Sequence, residues 1–256
     1  MTENLLKFGE PNSKLKKLAK KLKLKLKTFS LPSGWTCPGA KDCKSRADRK
    51  TGKIKDGKHC QFRCFQASAE AVYPSLRKMV WHNMDLLDAI NKDHKNCGFD
   101  YKWEAMADLI ERSLPKADIY RVHVGGDFFN RHYLIAWMQV AKRFPKRIFY
   151  AYTKSLHLFY SNDGLRPVWT VPSNMRFTAS RGGFYDWLIT EHGLKCAEVV
   201  FSEEEADAQE LEIDHDDEHA AFGKESFALL LHGVQPKGSA ASQALSEIKR
   251  SAKRAV

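Results

Sequence analysis

Four of the six cysteines in this 256-residue chain fall close together, at Cys37, Cys43, Cys60 and Cys64, separated by five, sixteen and three residues. Thiolates gathered in a chain with no secretory pattern are ligands more often than disulfide partners. Neither pair has the Cys-x-x-Cys spacing of a zinc knuckle, so sulfur-only ligation here points to an iron-sulfur cluster, with zinc as the alternative. Free cysteine prefers burial, and this segment is rich in Lys, Gly and Asp, which argues against four ordinary thiols. The lysines and Arg63 would offset the negative charge of a thiolate-bound cluster.

A second set of reactive side chains lies in Ala117 to Ser155. His123, Gly125, Gly126 and Asp127 close one apolar, β-branched run, and Tyr152, Thr153, Lys154 and Ser155 close the next. Between them Asn130 reads as an N-cap, and Tyr133, Leu134, Trp137, Val140, Ala141 and Phe144 recur at helical spacing until Pro145. Strand, loop, helix and strand in so short a stretch make a βαβ unit with parallel strands and a right-handed crossover. In parallel sheets ligands bind at the carboxyl ends of the strands, where these residues stand. The glycines would permit a tight turn or close ligand approach, and Asp127 could accept from an amine or hydroxyl. The plainer alternative is a strand-to-helix turn.

The positioning elements continue on both sides. Pro74 divides a helical stretch and starts a fresh helix, Tyr101 to Leu114 is amphipathic, and Met175 to Ser180 is a strand ending at Arg181-Gly182-Gly183. Phe184 to His192 reads as helix and Cys196 to Ser202 as strand, with Cys97 and Cys196 as isolated structural thiols. Residues 203 to 219 hold ten acids, expected as a solvated helix and loop or, less readily, a cation site at Asp214, His215, Asp216 and Asp217. Phe227 to Leu231 is a strand feeding a loop with Lys237 and Ser239 and then a helix from Ala240, so an anion could sit on the free amides of that helix. Repeated strand, loop and helix units without a Rossmann fingerprint predict an α/β fold, a complete or partial TIM-like barrel, with a cysteine-bearing N-terminal loop.

Composition sets the remaining bounds. Hydrophobic content of 43% supplies a core, and no apolar run is long enough to span a bilayer, so a cytoplasmic protein without membrane insertion is expected. The net charge of +11 sits at the two ends: +7 in residues 1 to 28 and +4 in residues 237 to 256. Residues 1 to 28 are therefore expected as a basic tail or arm, which residues 12 to 27 could form as an amphipathic helix, an edge strand or a partly disordered stretch. Residues 29 to 256 are expected as a single α/β domain with the cysteine segment at 37 to 64. The basic ends would bind nucleic acid through its phosphates, without base stacking, because no aromatic residue interleaves with the N-terminal lysines.

The segments FSLPSGWTCPGAKDC, FRCFQASAEAVYP, RVHVGGDFFN with the following Tyr133 and Trp137, and FYAYTKS resemble the phage-associated gene product 88 family over roughly Phe29 to Ser155. That resemblance implies a phage origin and the host cytoplasm, and it carries no activity. An early cysteine cluster followed by a strand ending in Gly-Gly and an acid is similar, more distantly, to radical S-adenosylmethionine enzymes. This similarity implies a 4Fe-4S cluster held by Cys37, Cys43 and Cys64, with Cys60 spare or a fourth ligand, and S-adenosylmethionine with its amine on Asp127. The sequence departs from that pattern in its cysteine spacing and in having Asp where Glu is usual.

Two functional readings follow. The first is an iron-sulfur enzyme of radical S-adenosylmethionine type acting on nucleotide or nucleic acid. His123, Tyr152, Lys154 and Arg181 stand at its barrel mouth, Gly125, Gly126, Asp127, Lys237 and Ser239 bind cofactor, and Cys37, Cys43, Cys60 and Cys64 supply metal ligands. The second is a non-catalytic zinc or iron-sulfur protein that grips nucleic acid.

Overall fold

The computed structural model describes residues 4–93 and 98–254, so the expectation for Cys97 lies outside the described residues. Helix α1, Ser13–Leu22, starts at Asn12, whose side chain accepts from the Leu15 amide at 3.0 Å, and ends on left-handed Lys23. Strand β1, Leu26–Phe29, follows, and the cysteine segment then folds a short hairpin of β2, Ser45–Ala47, and β3, Ile54–Asp56. Three helices come next: α2, Phe65–Val72, α3, Pro74–Asn91, and α4, Phe99–Ser113. Pro74 occupies the first turn of α3, where its missing N–H costs nothing. The central βαβ unit is β4, Ile119–Val122, α5, Arg131–Arg143, and β5, Ile148–Thr153. After it come β6, Met175–Ser180, α6, Trp187–Glu191, β7, Cys196–Val200, α7, Glu203–Ala208, α8, Glu218–Ala221, β8, Phe227–Leu230, and α9, Ala240–Arg254.

Six strands form one parallel sheet in the sequential order β1, β4, β5, β6, β7, β8. The sheet curls into a half-barrel, the partial form of the expected α/β barrel. Strand alternation assigns side chains to its two faces. Tyr120, Val122, Phe149 and Ala151 point outward into the main core with Leu134, Trp137 and Val140 of α5. Ile119, Tyr150, Ala197 and Phe227 point inward and meet Leu15 and Leu18 of α1 and Ala220 and Ala221 of α8.

The N-terminal residues therefore belong to the fold and are not a loose tail. Leu15 and Leu18 are 0% exposed, and Leu26–Phe29 is the edge strand of the sheet. Burying two leucines contributes about 1.5–3 kcal/mol each, which an exposed arm would forgo. The lysines of this stretch are also partly neutralised inside the molecule: Lys14 meets Asp217 at 2.8 Å, Lys21 pairs with Glu218, and Lys27 with Glu10. Among the described residues no helix is long and apolar enough to cross a membrane.

Candidate functional site

A cavity of about 480 Å³ occupies the concave side of the half-barrel, toward the carboxyl ends of its strands. One wall is the cysteine loop. That loop is pinned over the strand ends: Lys41 and Asp42 donate their amides to the Gly182 carbonyl at 3.1 and 2.9 Å, and Ala40 bridges to Gly183. Gly39 lies so close to the Lys154 carbonyl that any side chain there would collide with it.

Cys37, Cys43 and Cys64 all line this cavity. Burial pushes each thiol up, Cys64 to about 12, and the Asp127 carboxylate raises Cys37 further. Cys60 is placed differently: it is not on the cavity, its Sγ lies 3.4 Å from Ser45 Oγ, and it donates to the Phe62 carbonyl at 3.3 Å. Cys196 is buried in β7 beside Ser226. Among the described residues no three His, Cys, Asp or Glu side chains are set to hold a single metal ion.

The strand ends supply the opposite wall. His123 has left-handed backbone, φ 69°, and is buried. Its Nε2 lies 2.9 Å from Tyr133 Oη, its Nδ1 has no partner, and burial lowers its pKa to about 3, so the ring is neutral. Gly126 has φ 83°, and a side chain on it would press on Leu31 and Thr36, while one on Gly125 would collide with Gln66 of α2. The glycine pair thus admits the cysteine loop and α2 against the strand end, and both glycines also line the cavity.

Asp127 is likewise occupied. Oδ1 accepts from Thr153 Oγ1 and the Phe128 amide, both at 2.7 Å, and Oδ2 accepts from the Lys154 amide at 2.9 Å. The expected acceptor for an amine is a clamp between β4 and β5. The Lys154 ammonium reaches the cavity but donates to Ser180 Oγ at 2.6 Å and to the Ser180 and Arg181 carbonyls.

Three residues expected at the site stand elsewhere. Arg181 turns its side chain away to Glu198 at 3.3 Å, because it follows inward-facing Ser180 and alternation points it out. Lys237 and Ser239 do not line the cavity, and Ser239 Oγ caps its own helix by accepting from the Ser242 amide at 3.1 Å. That hydroxyl already serves one of the amides on which an anion was expected.

Sequence reasoning missed the polar floor of the cavity. Asp217, 1% exposed, takes Arg121 on Oδ2 and Lys14 on Oδ1, with Tyr150 Oη at 3.2 Å and Tyr152 Oη at 3.3 Å. Burial alone would raise its carboxyl, but Arg121 and Lys14 outweigh it and hold Asp217 below the usual range. The Arg121 guanidinium also lies over the Tyr152 ring at 5.0 Å. Asp214 Oδ1 accepts from the Asp216 and Asp217 amides at 2.9 and 2.6 Å, whereas its Oδ2 is buried without a partner. The acidic run is therefore not wholly solvated, and its buried carboxylate meets the chain's own cations instead of a metal. The available signal was Arg121 itself, a charge in the middle of a strand otherwise made for burial. Three polar atoms of residues around the cavity, His123 Nδ1, Arg121 Nε and Asp214 Oδ2, are buried without a partner.

Comparisons place this geometry in a family. The chain is 32% identical over 96 residues to the Gene 88 protein of Mycobacterium phage L5 and 30% identical over 96 residues to the Gene 88 protein of Mycobacterium phage D29. Each match covers 37% of this chain and 39% of the relative's length. No solved structure matches the chain. The family model described as Gene product 88 matches residues 4–253, nearly the whole of the half-barrel and its cysteine wall, and the chain belongs to the Gene product 88 family.

Proposed function

We propose that the chain is an iron-sulfur enzyme of radical S-adenosylmethionine type, in which Cys37, Cys43 and Cys64 hold a 4Fe-4S cluster facing the cavity. The observation that carries this reading is that these three thiols, Cys37 and Cys43 from the loop after β1 and Cys64 from the start of α2, line one cavity while Cys60 does not. The donor set suits such a group: three thiols become thiolates when a cationic cluster replaces their protons, against the upward pull of desolvation on their pKa. When bound and reduced by an external one-electron donor, such a cluster would supply an electron to the sulfonium of S-adenosylmethionine.

The chain's own residues bind, orient and enclose. The half-barrel and the cysteine segment line the cavity in which a reactive intermediate would be held. Neutral His123 lines the cavity and is the candidate contact for the cofactor's ammonium, in place of the occupied Asp127. Arg121, Tyr152 and Asp214 face the remaining space and provide polar contacts for a substrate.

Anaerobic purification with an absorption spectrum, iron and sulfide counts and equilibrium dialysis against S-adenosylmethionine tests the reading. Cys37→Ala, Cys43→Ala and Cys64→Ala should each lose the iron, whereas Cys60→Ala and Cys196→Ala should keep it. Wild-type protein holding stoichiometric zinc and no iron after attempted reconstitution would overturn it.

A further inference from the structure

We infer that the outer face of the β2–β3 hairpin, with Trp35 and Trp81 beside it, is a binding surface for single-stranded polynucleotide. The chain's summed charge conceals this face. Residues 41 to 63 carry nine Lys and Arg against three Asp, and the ten acids of residues 203 to 219 cancel that excess in the total. The acidic run lies against α1, where Lys14 and Lys21 pair with it. Lys44, Lys50, Lys53, Lys55 and Lys58 are in no ion pair among the described residues.

Register makes the imbalance explicit. Arg46 and Lys55 are directly opposite across the hairpin, while their neighbours Ser45 and Ala47 are buried on its inner face. Like charges directly opposite destabilise a strand pair, so a polyanion lying across them relieves a repulsion built into the fold.

Aromatic rings stand next to those charges. Trp35, 49% exposed, fixes its Nε1 on the Ala47 carbonyl at 3.2 Å and lies 5.7 Å from the Trp81 ring. The Arg46 and Arg49 guanidinium groups sit over Trp35 and Trp81 at 4.8 and 4.9 Å, and Arg49 is held in place by both oxygens of Asp85. Aromatic and guanidinium planes among unpaired lysines are the two components of single-strand recognition, base stacking and phosphate neutralisation. Bases of a duplex are already stacked, so a single strand is the form that uses both.

This face is the outer side of the loop whose inner side carries Cys37 and Cys43, yet its test needs no cluster. Fluorescence anisotropy of the full-length protein, prepared without iron, would follow labelled oligothymidylate and oligouridylate and a duplex of equal length at several salt concentrations. Both single strands should bind more tightly than the duplex. Trp35→Ala should weaken them by about 5- to 100-fold, the range for losing one base stack. Trp35→Phe, which loses the same Nε1 bond but keeps a ring, should stay within a few-fold of wild type and so control for the fold. Lys53→Glu with Lys55→Glu and Lys58→Glu should reduce the logarithmic salt slope by about 0.7 for each phosphate no longer neutralised, while Lys16→Glu with Lys17→Glu on α1 should not. Wild-type binding in both the Trp35→Ala and hairpin-lysine variants would overturn the inference. So would equal competition by polyglutamate, which would assign the face to an acidic protein.

Discussion

Asp127 and Thr153 share a 2.7 Å hydrogen bond, Oγ1 to Oδ1, that ties the end of β4 to the end of β5 directly under the cysteine loop. With the Phe128 and Lys154 amides it gives a buried carboxylate three donors. Burial pushes this carboxyl up, and the three donors hold it back. In Asp127→Asn one carboxylate oxygen becomes an NH2 group that faces a donor. Leaving such a group unsatisfied costs about 1–3 kcal/mol, several degrees of Tm in a chain of this length. Thermal unfolding should therefore register the change. An unchanged Tm with weakened cofactor binding would return Asp127 to the role of ligand.

Arg121 and Asp217 form the second buried tie, between β4 and the turn before α8. Removing one member strands the other: Arg121→Met should cost about 3–5 kcal/mol, the usual penalty for an uncompensated buried charge, with the remaining Lys14 contact favouring the lower end. Arg121→Met with Asp217→Asn should cost less than the sum of the two single changes. A denaturant double-mutant cycle that returns additive losses would mean the pair does not couple.

The parts of the fold legible in the sequence are those where a single physical rule dominates. β4, α5 and β5 announce themselves because Asn130, the apolar spacing of α5 and Pro145 all agree, and Met175–Ser180 falls where its residue types put it. The hairpin was not legible, since β2 and β3 have only three residues each and bury one face under α2 while showing lysines outward. α1 was ambiguous for a different reason: its leucines fit a helix at first and a strand after Leu22, and both occur, joined by left-handed Lys23. At the site, the strand-end residues were readable from topology. The partner of Arg121 was not, because nothing distinguishes Asp217 from its nine acidic neighbours until α1 and α8 close over the sheet.

The N-terminal residues carry a prediction opposite to that for a solvated arm. Deleting residues 1 to 27 removes α1 and half of the edge strand β1, and uncovers the inward faces of Ile119 and Tyr150. The truncated chain should fail to give a cooperative unfolding transition. Within the full chain, Leu18→Ala should cost about 2–5 kcal/mol as a buried large-to-small change, whereas Lys17→Ala, on an exposed position of the same helix, should stay within about 0.5 kcal/mol. Circular dichroism melts of the three proteins decide it. Native-like melting of the truncated chain would make α1 dispensable.

Glu70 links α2 to the loop that leads into Cys37, and its titration should be visible in stability. Oε1 accepts from the Ser33 amide at 3.0 Å and the Ser33 hydroxyl at 2.8 Å, while Oε2 is buried without a partner. Burial raises the carboxyl from 4.5 to about 7, against the lowering effect of Ser33 and Arg77. An acid with a raised folded pKa keeps its proton after the unfolded chain has released it. The folded state therefore loses stability as pH climbs above 4.5, and the loss levels off above about 7. Glu70→Gln keeps an acceptor for Ser33 and cannot ionise. The stability of wild type relative to Glu70→Gln should thus fall by on the order of 2 kcal/mol between about pH 5 and about pH 7.5. His123, lowered to about 3, has the opposite dependence below 6.5, but it is present in both proteins and cancels in the difference. Denaturant midpoints at intervals across that window measure it. Parallel profiles for the two proteins would mean that Glu70 ionises in the folded state as readily as in the unfolded chain, leaving the loop before Cys37 insensitive to pH through this carboxyl.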